Sequence, residues 1–314
     1  MTTDRGVSWA PVGAAFAKVE AVVAARFFDG TNGFAFTSGG DPGAPTLDGW
    51  VTSDAGATWR PSSLDLVSRT NTPPVSATFT DTPGGVVASV RYQTGGASAW
   101  SIVLESADRG AAWKELGRSP GRRAVSVDGD RLWIAGGAEQ QTLYESTDAA
   151  RTWRAVPGPA PDGSVYAQPV VQDGATTVFA VRSTDRALAL YTSSDDGATW
   201  TERGRTQLDE GVASIPPETV AVAGPGWLIW TGPSRGFEVA SADGTFTPFR
   251  ADGLIEGDAP IEFRVDPSGT GWLVAINGAC DAFKTNCHSG ADLYVSSDGG
   301  ATWSVTTSLD AEDY

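Results

Sequence analysis

The chain has 314 residues, of which 40% are hydrophobic and 19% are charged, a composition typical of a globular protein with a large core. Its 38 acidic residues outnumber its 22 basic ones, and the formal net charge of -16 opposes binding to nucleic acids and to anionic membranes. No apolar run reaches the roughly 18 residues of a membrane-spanning helix. We therefore expect a monomer with no nucleic-acid partner and no membrane insertion.

An eight-residue pattern recurs from one end of the chain to the other. Its clearest copy, Ser296–Trp303, reads Ser-Ser-Asp-Gly-Gly-Ala-Thr-Trp. One copy has Ala150 in place of the glycine, and the copy that begins at Ser241 is truncated and lacks the tryptophan. The aspartates of the seven copies are Asp4, Asp54, Asp108, Asp148, Asp195, Asp243 and Asp298.

Each position of this pattern has a structural role in a tight turn between two strands. The aspartate can accept hydrogen bonds from backbone N–H groups of its own turn, and the glycine can adopt a positive φ. The tryptophan begins the outgoing strand, where we expect its ring to pack between neighbouring sheets. These roles predict a folding element that lies away from any ligand.

The segments between the copies predict the rest of the fold. Successive aspartates are 40 to 55 residues apart, and each interval contains three short apolar runs before the next copy. In chain order the runs are 19–28, 34–37 and 49–52; 75–80, 86–92 and 100–104; 123–127, 132–135 and 142–145; 165–171, 177–181 and 187–192; 218–223, 227–231 and 237–240; and 261–265, 272–276 and 293–295. Four strands per unit, with helix signals absent, predict an all-β protein built as a β-propeller of four-stranded blades.

A single propeller domain over residues 1–314 is the predicted organisation, because repeat units share one continuous core. The first copy is followed by only one strand, Ser8–Val12, and six complete units come after it. Six blades are favoured, with Ser8–Val12 or Ser304–Leu309 completing the last one. Seven blades stay an alternative.

The two cysteines, Cys280 and Cys287, lie in the largest interior insertion, residues 277–292. An even count, close spacing and a loop context favour a disulfide and hence an extracellular or cell-envelope protein. A copy of the pattern occupies residues 2–9, so we expect the leader to be missing from this chain. The other possibility, a metal site with His288, is a poor zinc pattern, and we expect no metal and no cofactor.

Taken together, these motifs resemble the Asp-box (BNR) repeat propellers of the sialidase-like superfamily. That group includes sialidases, sortilin-type receptors, xyloglucan-cleaving glycosidases and photosystem II assembly factors. Two strand pairs are most similar to the assembly-factor type: Phe27-Phe28-Asp29 with Gly33-Phe34-Ala35-Phe36, and Arg264-Val265-Asp266 with Gly271-Trp272-Leu273-Val274. The resemblance implies the fold and leaves the function open.

A sialidase-like site would need an acid/base carboxylate, a tyrosine paired with a glutamate, and three arginines around the substrate carboxylate. The arginine motif that the resemblance implies near the start is missing, because Phe27 and Phe28 follow Arg26 and no proline is near. Arginines at the ends of predicted second strands form either an anion or sugar-acid pocket or ordinary solvated loop residues. The ligand-binding candidates are Arg91, Tyr92, Tyr166, Arg182, Glu218, Arg235, Glu262, Arg264 and Phe283.

Two functions therefore stay open. The first is an exported, non-enzymatic binding or assembly propeller that recognises a protein or a glycan through its loop faces. The second is a sialidase-like exo-glycosidase, for which no acid and nucleophile pair stands out. The insertion that carries Asp281, Phe283, Lys284 and His288 could serve the first function as a rigid recognition loop.

Overall fold

The computed structural model describes residues 21–41, 44–67, 71–82, 84–93, 99–121, 125–128, 131–136, 142–160, 165–166, 169–172, 174–182, 184–209, 220–223, 226–255, 259–265, 269–280 and 287–311. Every regular element within these ranges is a β-strand, as the sequence predicts. The same ranges contain no helix with the length and hydropathy of a membrane span.

The strands form six sheets, which are the blades of a six-bladed β-propeller. In blades 1 to 3 the strands are β1 Ala21–Phe27, β2 Gly33–Asp41, β3 Ala44–Thr52 and β4 Arg60–Pro61; β5 Ser63–Asp65, β6 Pro74–Thr82, β7 Gly85–Gln93, β8 Ala99–Ser106 and β9 Ala112–Ser119; and β10 Ser126–Asp128, β11 Arg131–Gly136, β12 Thr142–Ser146 and β13 Arg154–Val156.

In blades 4 to 6 they are β14 Val165–Tyr166, β15 Val170–Gln172, β16 Ala175–Val181, β17 Ala187–Ser193 and β18 Thr201–Gln207; β19 Val220–Ala223, β20 Gly226–Gly232, β21 Gly236–Ser241 and β22 Phe246–Phe249; and β23 Ala259–Val265, β24 Gly271–Cys280, β25 Cys287–Ser296 and β26 Ser304–Ala311. The prediction of six blades is confirmed. β26 is the outermost strand of blade 6, whereas the strand predicted at 8–12 lies outside the described residues.

Each blade contains a four-stranded antiparallel meander, and the first strand of that meander lies at the centre of the ring. The meander of blade 2 is β6 to β9, and that of blade 4 begins with β14 and β15, which both pair with β16. β1 lies beside β6, β6 beside β10, β10 beside β15, and β19 beside β23. Because the strands alternate in direction, the turns between first and second strands and between third and fourth strands share one side of the ring. We call this side the box face. The hairpins between second and third strands and the connections between blades lie on the opposite side, the hairpin face.

The repeated pattern forms the turn between the third and fourth strands, which we call the box turn. In blade 6 the Asp298 carboxylate accepts hydrogen bonds from the Thr302 backbone N–H at 2.8 Å, the Thr302 hydroxyl at 2.6 Å and the Ser296 hydroxyl at 2.8 Å. The Ser296 Oγ in turn accepts the Gly300 N–H at 2.9 Å. Gly300 has a φ of 92°, which a side chain would strain.

These donors stabilise the charged form of the carboxylate. The Thr302 hydroxyl is the largest cause, followed by the Thr302 backbone N–H, and together with Ser296 they hold the pKa of Asp298 at about 2, below its ordinary 3.8. Asp148 has the same partners in its own turn, and its pKa is also lowered to about 2. The turn of blade 2 lacks one bond, because Ala112 stands where the threonine would be and only its N–H reaches Asp108, at 2.8 Å.

Box turns also join each blade to the one before it. The indole Nε1 of Trp153 in blade 3 donates to the carbonyl of Arg118 in blade 2 at 2.6 Å, and Trp200 in blade 4 donates to the carbonyl of Pro157 at 2.8 Å. A Cβ on Gly204 in blade 4 would lie 1.9 Å from the carbonyl oxygen of Gly244 in the blade 5 box turn. Glycine is required there because the two backbones touch.

Buried side chains fill the spaces between neighbouring blades. Phe34 of blade 1 packs on Trp113 of blade 2, with ring centroids 5.0 Å apart. Further clusters of buried residues join blades 2 and 3, 3 and 4, 4 and 5, and 5 and 6. The core is therefore distributed around the ring, so each blade depends on its neighbours.

The strands β24 and β25 place the two cysteines opposite each other. Cys280 and Cys287 are backbone partners at the end of this antiparallel pair, although their side chains lie outside the described residues. Directly opposed residues have Cα atoms about 4.5–5.5 Å apart, which lies inside the range that disulfides span. The sequence prediction of a loop is wrong for these two residues, because each ends or begins a strand.

We predict that Asp298→Ala lowers the melting temperature at pH 7, because the variant loses three acceptor bonds of the box turn. The pKa of Asp298 is depressed in the folded state, so its stabilisation is present above the ordinary 3.8 and is lost as the pH falls towards about 2. The difference between wild type and variant should narrow across that window in thermal melts. Ser297→Ala, an exposed change in the same turn, is the control. A difference that stayed constant with pH would contradict this assignment.

We also predict that Cys280 and Cys287 form a disulfide in protein isolated from its native compartment, because their backbones are already paired. The measurement is an intact mass two hydrogens lower than after reduction, with no free thiol titrated in denaturant. Finding two free thiols would refute both the bond and the argument for export.

Candidate functional site

Two of the three arginines proposed for an anion pocket are bound by carboxylates close to them. Arg182, in the β16–β17 hairpin, lies 3.6 Å from Asp185 and 3.9 Å from Glu202. Arg205 reinforces the group, since it lies 2.8 Å from Glu202. All four residues belong to blade 4, so the Arg182 side chain forms ion pairs within its own blade.

Arg235 lies in the β20–β21 hairpin and is equally engaged. Its Nη2 donates to Glu238 Oε1 at 2.9 Å and to the Thr206 hydroxyl at 3.2 Å, which joins blade 5 to blade 4. The Glu238 side chain is 4% exposed, so Arg235 neutralises a buried charge. The hairpin N–H groups are also occupied, because Asp209 accepts the backbone N–H of Arg235 at 3.0 Å.

The third arginine, Arg91, was predicted to end a strand or lie in the loop after it, but it lies within β7. It is half-buried and pairs through its backbone with Ser76 of β6 and Ser101 of β8. Arg26, the arginine nearest the expected motif, binds Asp81 of blade 2 at 2.5 Å. The contacts of the described residues do not bring these arginines together as a clamp.

The remaining predicted residues are scattered. Glu262 and Arg264 are exposed on β23 and face each other, with 3.4 Å between Oε1 and Nε. Tyr166 lies on β14, and its side chain is outside the described residues, as are Asp4, Glu218 and Phe283 altogether. Among the predicted residues that the structure describes, Tyr92 lines the cavity between blades 1 and 2.

That cavity has a volume of about 900 Å³ and lies between blades 1 and 2, towards the hairpin face. One wall is the strand β3, from Ala44 to Trp50. The other is the connection from blade 1 to blade 2, with Tyr92 at the hairpin end of β7. The lining residues of the connection are Pro61, Ser62, Leu64, Leu66 and Asn71. Sequence reasoning missed this site because its walls come from three separate segments.

Tyr92 is fixed by a stack of side chains on blade 2. Its ring centroid lies 4.5 Å from that of Trp100 with an interplanar angle of 11°, and the Arg118 guanidinium lies 4.4 Å from the centroid of the same Trp100 ring. Burial, followed by the negative charge of Glu115, raises the pKa of Tyr92 above its ordinary value. Its phenol is therefore neutral at physiological pH and forms a rigid, mostly apolar wall.

The segment that connects blade 1 to blade 2, after β4, is hydrogen-bonded to both blades. The Ser62 N–H donates to the Gly49 carbonyl of blade 1 at 2.8 Å. Further along, the Val67 N–H donates to the buried Glu115 carboxylate of blade 2 at 2.8 Å. Between these points β5 runs parallel to β9, with Leu64 beside Trp113. The cavity is thus pre-formed, as binding sites usually are.

Uncharged residues make up most of the lining of the cavity. Among the described lining residues Asp48 is the only charged one, and its carboxylate accepts a hydrogen bond from the Thr46 hydroxyl at 3.2 Å. Glycoside hydrolysis generally requires two carboxyl groups or a comparable nucleophile pair. The described part of the chain also contains no cluster of three His, Cys, Asp or Glu side chains that could hold a metal.

Comparisons with known proteins support the fold alone. No protein-family model matches the chain, and no curated protein matches it. A protein of solved structure from Lactobacillus plantarum is 16% identical, with a TM-score of 0.51 over 88% of this chain and 81% of that chain. A chain of a nidogen/laminin complex is 10% identical, with a TM-score of 0.50 over 90% and 94%. A structure of YCF48 bound to D1 peptide matches over 92% of this chain and 81% of that chain at 14% identity, with a TM-score of 0.36.

We predict that Arg235→Ala acts on stability, because it leaves the buried Glu238 carboxylate without its cation. The expected loss in free energy of unfolding is about 1–3 kcal/mol, measured by urea denaturation. Adding Glu238→Gln to this variant should restore part of the loss, since the uncompensated charge is then gone. Arg264→Ala, which breaks an exposed pair, should stay within about 0.5 kcal/mol of wild type. An unchanged urea midpoint for Arg235→Ala would show that the pair is not structural.

Proposed function

We propose that this protein is a non-enzymatic recognition propeller that binds a protein or a glycan at its hairpin face. The observation that carries the proposal is the pre-formed cavity between blades 1 and 2, whose walls combine β3, the connecting segment and Tyr92. Its lining combines apolar side chains with a few polar ones, as is typical of ligand-binding sites.

The distribution of charge supports a binding role over hydrolysis. A sialidase-like clamp needs arginines free to meet a substrate carboxylate, whereas Arg182 and Arg235 already face Glu202 and Glu238. The cavity offers Asp48 without a second carboxylate among its lining residues. Neither these arginines nor the cavity lining therefore supplies the groups that a glycosidase needs.

The two sides of the ring have different roles in this proposal. The box face carries turns whose polar groups bond to one another and to the preceding blade. The hairpin face carries the cavity and also the end of β24 and β25, where Cys280 and Cys287 are paired. A disulfide there would stiffen a second loop of the same face, which suits an exported binding protein. The resemblance to the Asp-box propellers is compatible with this proposal, since that group includes receptors and assembly factors.

We predict that a change in the cavity abolishes ligand binding and a change in a box turn does not. Asn71→Trp places a bulky ring at an exposed lining position, whereas Asn71→Ala leaves the cavity open and serves as the matched control. Wild type and these variants would be applied to a glycan array and a peptide array, with Asp298→Ala as the box-face control. Ligands bound by wild type, Asn71→Ala and Asp298→Ala, but not by Asn71→Trp, are the expected result.

The same proteins test the alternative. We expect no turnover of fluorogenic sialosides or aryl glycosides by the wild type. Turnover that is lost in Arg182→Ala or Arg235→Ala, in variants shown to stay folded, would overturn the proposal in favour of a glycosidase. Ligands that Asn71→Trp binds as tightly as wild type would place recognition elsewhere.

A further inference from the structure

The third strand of blade 1 extends well beyond its outer neighbour. β3 runs over Ala44–Thr52, but β4 pairs only with Trp50 and Val51. One further bond, from the Ser62 N–H to the Gly49 carbonyl, continues the pairing. Residues 44–48 pair with β2 on their inner side, and on their outer side no strand of the described residues pairs with them.

Blade 1 differs in this respect from the other five blades. In each of those the outer strand pairs to within two residues of the start of the third strand; the third strands concerned are β8, β12, β17, β21 and β25. Within the described residues, five consecutive residues without an outer partner strand are therefore a particular property of blade 1. Five residues of strand correspond to about 16 Å of edge.

The direction of the backbone groups can be read from the bond that is present. The Gly49 carbonyl points outward to Ser62, and in an antiparallel ladder residues two apart point to the same side. The N–H and the carbonyl of Leu47 therefore point outward, as does the carbonyl of Pro45. Pro45 has no N–H group, so the open edge offers one donor, the Leu47 N–H, and two acceptors, the carbonyls of Leu47 and Pro45. These groups are spaced as in a β-ladder.

The open edge and the cavity coincide. Ala44 to Trp50 line the cavity, and Leu64, Leu66 and Tyr92 stand across from them. A strand laid along β3 would find backbone partners on one side and apolar walls on the other. Exposed edges of this kind are places where a second chain adds to a sheet.

We propose that the edge of β3 accepts an extended segment of a partner protein, which pairs with Leu47 and completes blade 1. This inference rests on the proposed function and names its partner class. A glycan has no alternating N–H and C=O groups with which to meet the edge, so a peptide backbone is the matching chemistry. Because Asp48 is the only charged lining residue and the net charge is -16, the segment is neutral or basic, with apolar side chains at alternate positions.

The test uses a library of acetylated heptapeptides in which Val, Ile or Leu alternates with Lys, Thr or Ser. Binding of the best fluorescein-labelled member would be compared with two N-methylated forms, one methylated on each edge of the peptide. Methylating the edge that pairs with Leu47 should weaken binding roughly tenfold or more, which corresponds to about 1.4 kcal/mol, and methylating the other edge should have little effect. Hydrogen exchange at the Leu47 amide should slow when the peptide is bound.

Two variants locate the site. Asn71→Trp should abolish peptide binding, whereas Ser234→Trp, a similar change at an exposed residue of the blade 5 hairpin, should not. Equal binding of both methylated forms, or unchanged exchange at Leu47, would overturn the inference, as would a library with no binder tighter than about 1 mM. If glycans bind in an Asn71-dependent manner and peptides do not, strand addition is rejected and the proposed function stands. If neither class binds, both are rejected.

Discussion

The carboxylate of each box turn is the contact on which the ring depends. Asp298 receives the N–H and hydroxyl of Thr302, and Ser296 links it to the glycine with positive φ. The turn made in this way is compact, and its backbone rests on the preceding blade. At Gly204 and Gly244 the two backbones approach so closely that neither residue could carry a side chain. Local hydrogen bonding thus sets the spacing between blades and the cavities that open between them.

Charged side chains are arranged differently in two parts of the hairpin face. On the hairpin face of blades 4 and 5 the arginines meet carboxylates of the protein itself, as Arg235 meets the buried Glu238. Such pairs fix the hairpins but leave no unbalanced positive site. Between blades 1 and 2 the cavity lining mixes apolar residues with uncharged polar ones, and Asp48 is its one charged residue. In the proposed function, the net negative charge and the single carboxylate of the cavity would favour neutral or basic partners.

Blade 1 departs from the repeat because its outer strand is short. The chain leaves β4 after two residues and crosses to blade 2, where β5 covers the edge of β9. Blade 2 gains a fifth strand while β3 keeps an open edge, and the space between them becomes the cavity. One deviation in strand length therefore produces both the pocket and the unpaired backbone beside it.

The sequence alone determined the elements whose causes are local. The box turns bond residues two to four positions apart, so the spacing of the repeated aspartates, from Asp54 to Asp298, already predicts the turns and the strands between them and favours six blades. Tertiary structure decided the rest. From the sequence, Arg182 and Arg235 could be either parts of an anion pocket or solvated loop residues. The tertiary structure decided between these by placing Glu202 and Glu238 beside them. The cavity depends on where β4 ends and on the path of residues 61–71, and no local pattern encodes that long-range arrangement.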